Sequence, residues 1–202
     1  MKEETFAEYF LQEKEWTKKI EIMFYLKKRL DIFFDNTVVF KSLLTKLFCE
    51  YVNSHYPEEK INTNLAVAAR LLCDCKKISV SNNVNEIKSY AKQGAIFIAS
   101  LGFSPRFCSI CEGVNRYTIK EDREKESDIL ELTDQFGGML IDRNDRTSIS
   151  IEDALDLLQF RNLKGVYNQY LKYFVEFIRF MQDISIEEVD ADEDPSAWIV
   201  NI

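Results

Sequence analysis

Helix-breaking residues are scarce in this chain, and their scarcity constrains its fold more than any other feature. Only 6 of the 202 residues are glycine and 3 are proline. In the stretches between these glycines and prolines, apolar residues recur every three, four or seven positions, as in the series Trp16, Ile20, Met23, Leu30 and Phe34. A period of this kind places apolar side chains on one side of a helix. The sequence therefore predicts an all-α protein.

The same periodicity predicts a succession of helices. A long helix is expected over residues 4–34, and Asn36 or Thr37 could cap the next one. Pro57 is predicted near the start of a further helix. Residues 64–77 are apolar on most sides, which indicates a central buried helix, and Gly102 is expected to end the helix over 86–101. The remaining helices are predicted over 105–111, over 128–140 and, after the N-cap Ser150, from 151 to about 183 with a break near 162–165.

Charge is distributed unevenly. The net charge is −8, and six acids lie between Glu187 and Asp194, so the rest of the chain is almost neutral. Such a body offers no basic surface to phosphate backbones, and nucleic-acid binding is not expected. Residues 185–202 are predicted to form a flexible acidic tail. Its apolar end, from Trp198 to Ile202, could dock on the body, on a second copy or on a partner.

The location of the protein is predicted from what the sequence does and does not contain. The first residues are charged and lead into an amphipathic segment, which is unlike a secretory signal. No apolar run is long enough to span a bilayer. The 5 cysteines are odd in number, which favours reduced thiols. These features predict a cytoplasmic protein with no membrane association.

A family resemblance starts from the segment between Ile129 and Leu155. It resembles the late part of the bacterial HD-GYP phosphodiesterase domain, where a helix ends in an Asp metal ligand and an Asp-Arg-Pro-Tyr-Arg loop leads into a Glu-Ala-Leu helix. Asp134 falls on that ligand. Arg143 and Arg146 fall on charged positions of the loop, and the resemblance implies that they, with Lys77 upstream, could contact phosphate.

Earlier segments resemble the family's other metal-binding motifs in the same order. Cys73 stands where the signature His is expected, whereas Asp74 and Lys77 keep the family residues. Tyr90 stands at another metal-binding His. The family's His-His-Glu aligns with Ile110, Cys111 and Glu112, and its first His has no clear counterpart near Phe40.

The resemblance implies an HD-domain-like helical bundle. Residues 37–184 would form the degenerate HD-like domain, and residues 1–36 an added N-terminal helix, packed on the body or forming a dimer arm. The family hydrolyses cyclic di-GMP with two or three metal ions held by histidines and carboxylates. This chain has 1 histidine, His55, predicted in an exposed loop outside the site. No catalytic residues and no cofactor are therefore expected.

These losses predict a catalytically inactive regulatory or protein-interaction protein of bacterial signalling. A protein partner or self-association is expected, and a nucleotide is a candidate ligand. One alternative is a divergent metal-dependent phosphohydrolase, in which Asp74, Asp134 and Glu112, and in one version a cysteine, would hold a non-standard divalent metal. The purely structural interpretation of both aspartates is that they form ion pairs with residues such as Lys77 or that they cap helices.

The cysteines support a third alternative, a cysteine-bound metal or redox protein. Cys73 and Cys75, with Cys108 and Cys111, superficially suggest a zinc site. Residues two apart on a helix point in nearly opposite directions, however, so Cys73 and Cys75 should not both bind one metal. Buried thiols that act as small apolar side chains are the more common arrangement. The resemblance places Cys73 and Cys111 near each other around the former metal centre.

Overall fold

The computed structural model describes residues 3–34, 37–77, 84–114, 123–142, 147–162 and 168–188. Its secondary structure in these ranges is entirely helical, which confirms the all-α class. The helices are α1 (Glu3–Gln12), α2 (Trp16–Leu30), α3 (Thr37–His55), α4 (Thr63–Leu72), α5 (Val84–Ser100), α6 (Pro105–Gly113), α7 (Lys125–Met139), α8 (Ile151–Asn162) and α9 (Leu171–Glu188). Within the described ranges, no helix is both long and apolar enough to cross a membrane.

The single helix predicted over 4–34 is wrong, because the chain breaks between α1 and α2. An unbroken helix of that length would extend about 45 Å and carry one half away from the core. The break lets Phe10 of α1 and Met23 of α2 enter the same core, where both are fully buried. Lys19 stabilises the junction, since its Nζ donates to the carbonyl of Phe10 at 2.6 Å near the end of α1. The N-terminal segment therefore packs on the body.

Capping residues account for several of the other boundaries. The prediction that Pro57 lies near the start of a helix is wrong, because Pro57 lies in a turn. Helix α4 begins after Asn62, whose side chain accepts a hydrogen bond from the Leu65 N–H at 3.0 Å. Gly102 ends α5 with a φ of 87°, as predicted. Ser150 accepts from the Asp153 N–H at 3.1 Å and caps α8. The helices α8 and α9 are separate, and α9 continues to Glu188, four residues beyond the predicted domain boundary.

The apolar side chains form two clusters. The first joins α1, α2, α4, α5 and α6 with Val38 and Val39 of α3 and Leu130 of α7. The second joins α3, α7, α8 and α9 with Ala66 of α4. Helix α4 is central, as predicted, with every residue from Leu65 to Leu72 buried. It packs against α3, which also packs against α7. These three helices therefore link the two clusters, and polar residues at their junction lie in the protein interior.

Phe48 is the residue on which the second cluster most clearly depends. Its ring is fully buried, 4.9 Å from the ring centroid of Phe174 and 5.4 Å from that of Phe177. We expect Phe48→Ala to lower the free energy of unfolding by about 3–5 kcal/mol through lost burial and the cavity left behind. Tyr9→Ala is the matched control, because Tyr9 is 65% exposed. Urea unfolding of both variants measures the difference, and equal stabilities would contradict this packing.

Candidate functional site

Asp74 and Asp134 come together on one arginine. Asp74 lies in the turn that follows α4, and Asp134 lies near the middle of α7. The guanidinium of Arg70 lies between them, with Nη2 2.5 Å from Asp74 Oδ2 and Nη1 3.0 Å from Asp134 Oδ1. Arg70 and Asp74 are four residues apart, so α4 and its final turn present both side chains on the same face. Two carboxylates distant in sequence thus share one cation.

Two lysines complete this group. Lys41 of α3 donates to Asp134 Oδ1 at 2.8 Å, and Lys77 lies 3.4 Å from Asp74 Oδ2. The side chain of Arg70 is 0% exposed and that of Lys41 is 2% exposed, whereas Lys77 is 22% exposed. These long cations are therefore held by fixed partners in the interior. We call the set Lys41, Arg70, Asp74, Lys77 and Asp134 the Arg70 cluster.

The electrostatics of the Arg70 cluster keep both carboxylates ionised. Burial by itself would raise the pKa of Asp74, but Arg70 and Lys77 outweigh it and lower that pKa. Burial likewise opposes ionisation of Asp134, yet Lys41, Lys77 and Arg70 hold its pKa well below the usual range. With three cations and two anions, the cluster carries a formal charge of about +1 at neutral pH.

A divalent metal does not fit this donor set. Asp74 and Asp134 already pair with three side-chain cations, so an added metal ion would meet a net positive charge. The imidazoles that hold such ions in the HD-GYP family are also missing. His55 is exposed and is the last residue of α3, so its predicted placement in a loop is wrong, although it is exposed as expected. Within the described ranges, no group of three or more His, Cys, Asp or Glu residues is arranged to hold a metal.

Three of the other predicted positions, Cys73, Tyr90 and Cys111, lie around α4 and the turn that follows it. The ring of Tyr90 lies 5.3 Å from Lys77 Nζ, and burial raises the pKa of its phenol well above the ordinary value. Cys73 and Cys111 contact neighbouring carbonyls, at 3.6 Å from Arg70 O and 3.9 Å from Ala69 O respectively. Glu112 is half-buried on α6. Arg143 and Arg146 lie outside the described residues.

The thiols are arranged as buried apolar groups. Cys73 directs its Sγ to the Arg70 carbonyl, whereas Cys75 directs its Sγ to the carbonyl of Gly94 on α5 at 3.9 Å. Burial raises the pKa of the Cys75 thiol to about 12 and that of the Cys73 thiol further, so both stay protonated. A Cβ on Gly94 would lie 3.3 Å from Cys75 Sγ, which explains why a glycine suits this crossing.

Sequence reasoning missed Arg70 and Lys41. Arg70 stands in an almost wholly apolar helix, and that isolation was a signal, because a charge inside a buried helix needs a partner. Its spacing of four from Asp74 pointed to that partner. Lys41 follows Phe40, in the region where the first family His had no clear counterpart. Nothing in the sequence near Lys41 indicated that it would reach Asp134, which is 93 residues away.

A second buried polar cluster lies along the first half of α7. Arg123 contacts Asp128 at 3.2 Å and Glu131 at 2.9 Å, and Asn168 donates to Glu131 at 3.2 Å. Arg106 of α6 donates to the buried Glu126 at 2.8 Å. Burial raises the pKa of Asp128 to about 6, although Arg123 opposes that change. These contacts attach α6 and the segment that precedes α9 to α7.

Comparison with protein families, with curated proteins and with solved structures finds no match to this chain.

Removing the central cation should destabilise the fold. In Arg70→Met the buried Asp74 and Asp134 lose their shared partner, and we expect a loss of about 3–5 kcal/mol in the free energy of unfolding at pH 7. The loss should shrink towards pH 4, because carboxylates without Arg70 take up protons more readily. Arg179→Met, at an exposed position of α9, is the matched control. A change below about 1 kcal/mol in the Arg70 variant would contradict the arrangement.

Asp128 should make stability depend on pH in the opposite direction from an ordinary ion-paired carboxylate. Its folded pKa of about 6 lies above the unfolded value of 3.8, so the folded state binds the proton more tightly between these values. This group's contribution therefore favours folding more as the pH falls from 7 to 5. We expect a gain on the order of 1 kcal/mol after allowance for solvent screening.

Urea unfolding at pH 7, 6 and 5 measures this effect. The gain on acidification should be smaller in Asp128→Asn than in the original protein, whereas Asp156→Asn, at an exposed position of α8, should leave it unchanged. Equal gains in all three proteins would show that Asp128 does not titrate in this range.

Proposed function

We propose that this protein is a catalytically inactive, HD-GYP-like regulatory or protein-interaction protein of bacterial signalling, acting in the cytoplasm. In this proposal, side-chain cations occupy the place that metal ions hold in the active family. The observation that carries it is the position of Arg70 between Asp74 and Asp134.

The layout of the Arg70 cluster supports this relationship. The resemblance implies that Asp74 and Asp134 are ligands of one metal centre. In the structure both carboxylates converge on one guanidinium, as ligands of one ion would. Lys41 reaches Asp134 from the chain region where the family's first His is expected. Ammonium and guanidinium groups balance the carboxylate charge, so the cluster keeps the electrostatic role of a metal without its chemistry.

The same residues are unsuited to hydrolysis. Phosphodiester cleavage in the family requires a water acidified by metal ions. Lysine and arginine provide no such water. The thiols of Cys73 and Cys111 have strongly raised pKa values and stay protonated, which makes them poor nucleophiles. Asp74 and Asp134 are engaged in ion pairs and are poor general bases because their pKa values are lowered.

A nucleotide is the ligand class that the residual site favours. The Arg70 cluster has a net positive charge, and Lys77 is its most exposed cation. A phosphate could approach this edge and be attracted without being cleaved. The interior of the cluster is filled by Arg70 and Lys41, so binding would be confined to the surface around Lys77 and Tyr90.

Metal content and turnover test the proposal. We expect purified protein to contain no stoichiometric metal and to leave cyclic di-GMP intact when Mn²⁺ or Fe²⁺ is added, because both carboxylates are paired with side-chain cations. Elemental analysis and product chromatography provide the readouts. Stoichiometric iron or manganese, with turnover that Asp134→Ala abolishes, would contradict the proposal and support a phosphohydrolase. Stoichiometric zinc would instead support a cysteine-bound metal.

Calorimetric titration with cyclic di-GMP tests the nucleotide part separately. Binding that Lys77→Ala weakens at least tenfold, and that Lys76→Ala leaves unchanged, would support a retained phosphate site. Lys76 is a suitable control because it neighbours Lys77 but lies over the ring of Phe97, 4.0 Å from its centroid. Absence of binding would remove the nucleotide from the proposal and leave the protein-interaction role.

A further inference from the structure

Helix α2 presents an exposed face that is both aromatic and basic. Phe24 is 51% exposed and Tyr25 is 67% exposed. The last turn of α2 adds three exposed cations, Lys27, Lys28 and Arg29. Basic residues suit the C-terminal end of any helix, because they face the negative end of its dipole. That effect does not explain the exposure of two large aromatic side chains beside them. One edge of this face is covered, where the ring of Phe24 packs against Phe34 at 5.5 Å between centroids.

Helix α8 carries a groove of the opposite charge. The groove has a volume of about 420 Å³ and combines apolar with acidic side chains: Ile149, Asp153, Asp156, Leu157 and Phe160. Asp153, Asp156, Leu157 and Phe160 are spaced three or four residues apart and form one stripe along α8, and Ile149 precedes the helix. Phe160 is 54% exposed and Leu157 is 37% exposed, so the groove is open to solvent.

The two surfaces belong to different parts of the molecule. Met23 anchors α2 in the first apolar cluster. Three residues after the end of α2, the Phe33 N–H donates to the Cys75 carbonyl at 2.7 Å. Leu155 and Leu158 anchor α8 in the second cluster. Neither helix can move onto the other without leaving its own core. The α2 face can therefore meet an α8 groove only on another molecule.

We propose that two copies of this chain associate by placing the aromatic, basic face of α2 from one copy in the acidic groove of α8 on the other. Phe24 and Tyr25 would cover Leu157 and Phe160, and the basic last turn of α2 would meet Asp153 and Asp156. Because every copy carries both surfaces, two such contacts can close a symmetric dimer. Opposite charges at the rim would speed association and make it sensitive to salt.

This inference does not depend on the proposed function. Neither surface contains a residue of the Arg70 cluster, so an active phosphodiesterase could associate in the same way. The metal analysis above and the association experiment below can therefore fail separately.

Charge exchange between two variants tests the contact. The first variant is Lys28→Glu/Arg29→Glu, which makes the α2 face acidic. The second is Asp156→Lys, which makes the groove more basic and leaves Asp153 unchanged, because the Asp153 carboxylate accepts from the Ser150 hydroxyl at the start of α8. We expect each variant alone to associate at least tenfold more weakly than the original protein in sedimentation equilibrium at low salt.

An equimolar mixture of the two variants should recover association. The acidic α2 of the first variant then meets a groove whose net negative charge Asp156→Lys has removed, and the remaining pair of surfaces keeps its original charges. Adding 0.5 M NaCl should weaken the dimer of the original protein. Lys172→Glu, at a position of α9 that is 81% exposed, is the matched control and should associate normally. Circular dichroism confirms that each variant is folded.

Three results would overturn the proposal. The original protein could remain monomeric at all concentrations, the single variants could associate normally, or their mixture could fail to recover association. Binding of the monomeric protein to phosphatidylserine vesicles, lost in Lys28→Glu/Arg29→Glu, would assign the α2 face to a membrane surface instead.

Discussion

The guanidinium of Arg70, held between Asp74 and Asp134, is the interaction on which the centre of this protein depends. It joins the end of α4 to the middle of α7, and Lys41 extends the same network to α3. These are the three helices that link the two apolar clusters. A buried ion pair adds little net stability compared with an apolar replacement, but breaking one is costly. The network thus ties α3, α4 and α7 together through buried charges, each of which would be left unpaired if the helices separated.

The same network limits the chemistry that the protein interior can support. A metal-dependent hydrolase needs carboxylates that are free to bind cations supplied from outside, and here the cations belong to the chain. The side-chain cations fix the positions of the carboxylates, but they cannot replace a metal in hydrolysis, because neither Arg70 nor Lys41 can bind and activate a water as a metal ion does. Among the described residues, α2 and α8 carry exposed aromatic side chains away from this network.

Several parts of the fold could be predicted from the sequence because their causes are local. The helical class follows from apolar periodicity and few breakers, and Gly102 and Ser150 act as caps wherever the chain places them. The break between α1 and α2 could not be predicted in this way. It arises because Phe10 and Met23 must both reach one core, and that demand becomes visible only when the distant α4 is in place.

The candidate site divides along the same line. The sequence alone singled out Asp74 and Asp134 as candidate metal-binding carboxylates, and it contains only 1 histidine. Only the tertiary structure decided what those carboxylates bind, because Lys41 and Asp134 are 93 residues apart and Arg70 meets Asp134 across a helix interface. The sequence gives the type of each side chain. The partner of a buried charge depends on which helices pack together, and the helix packing is set by the whole apolar core.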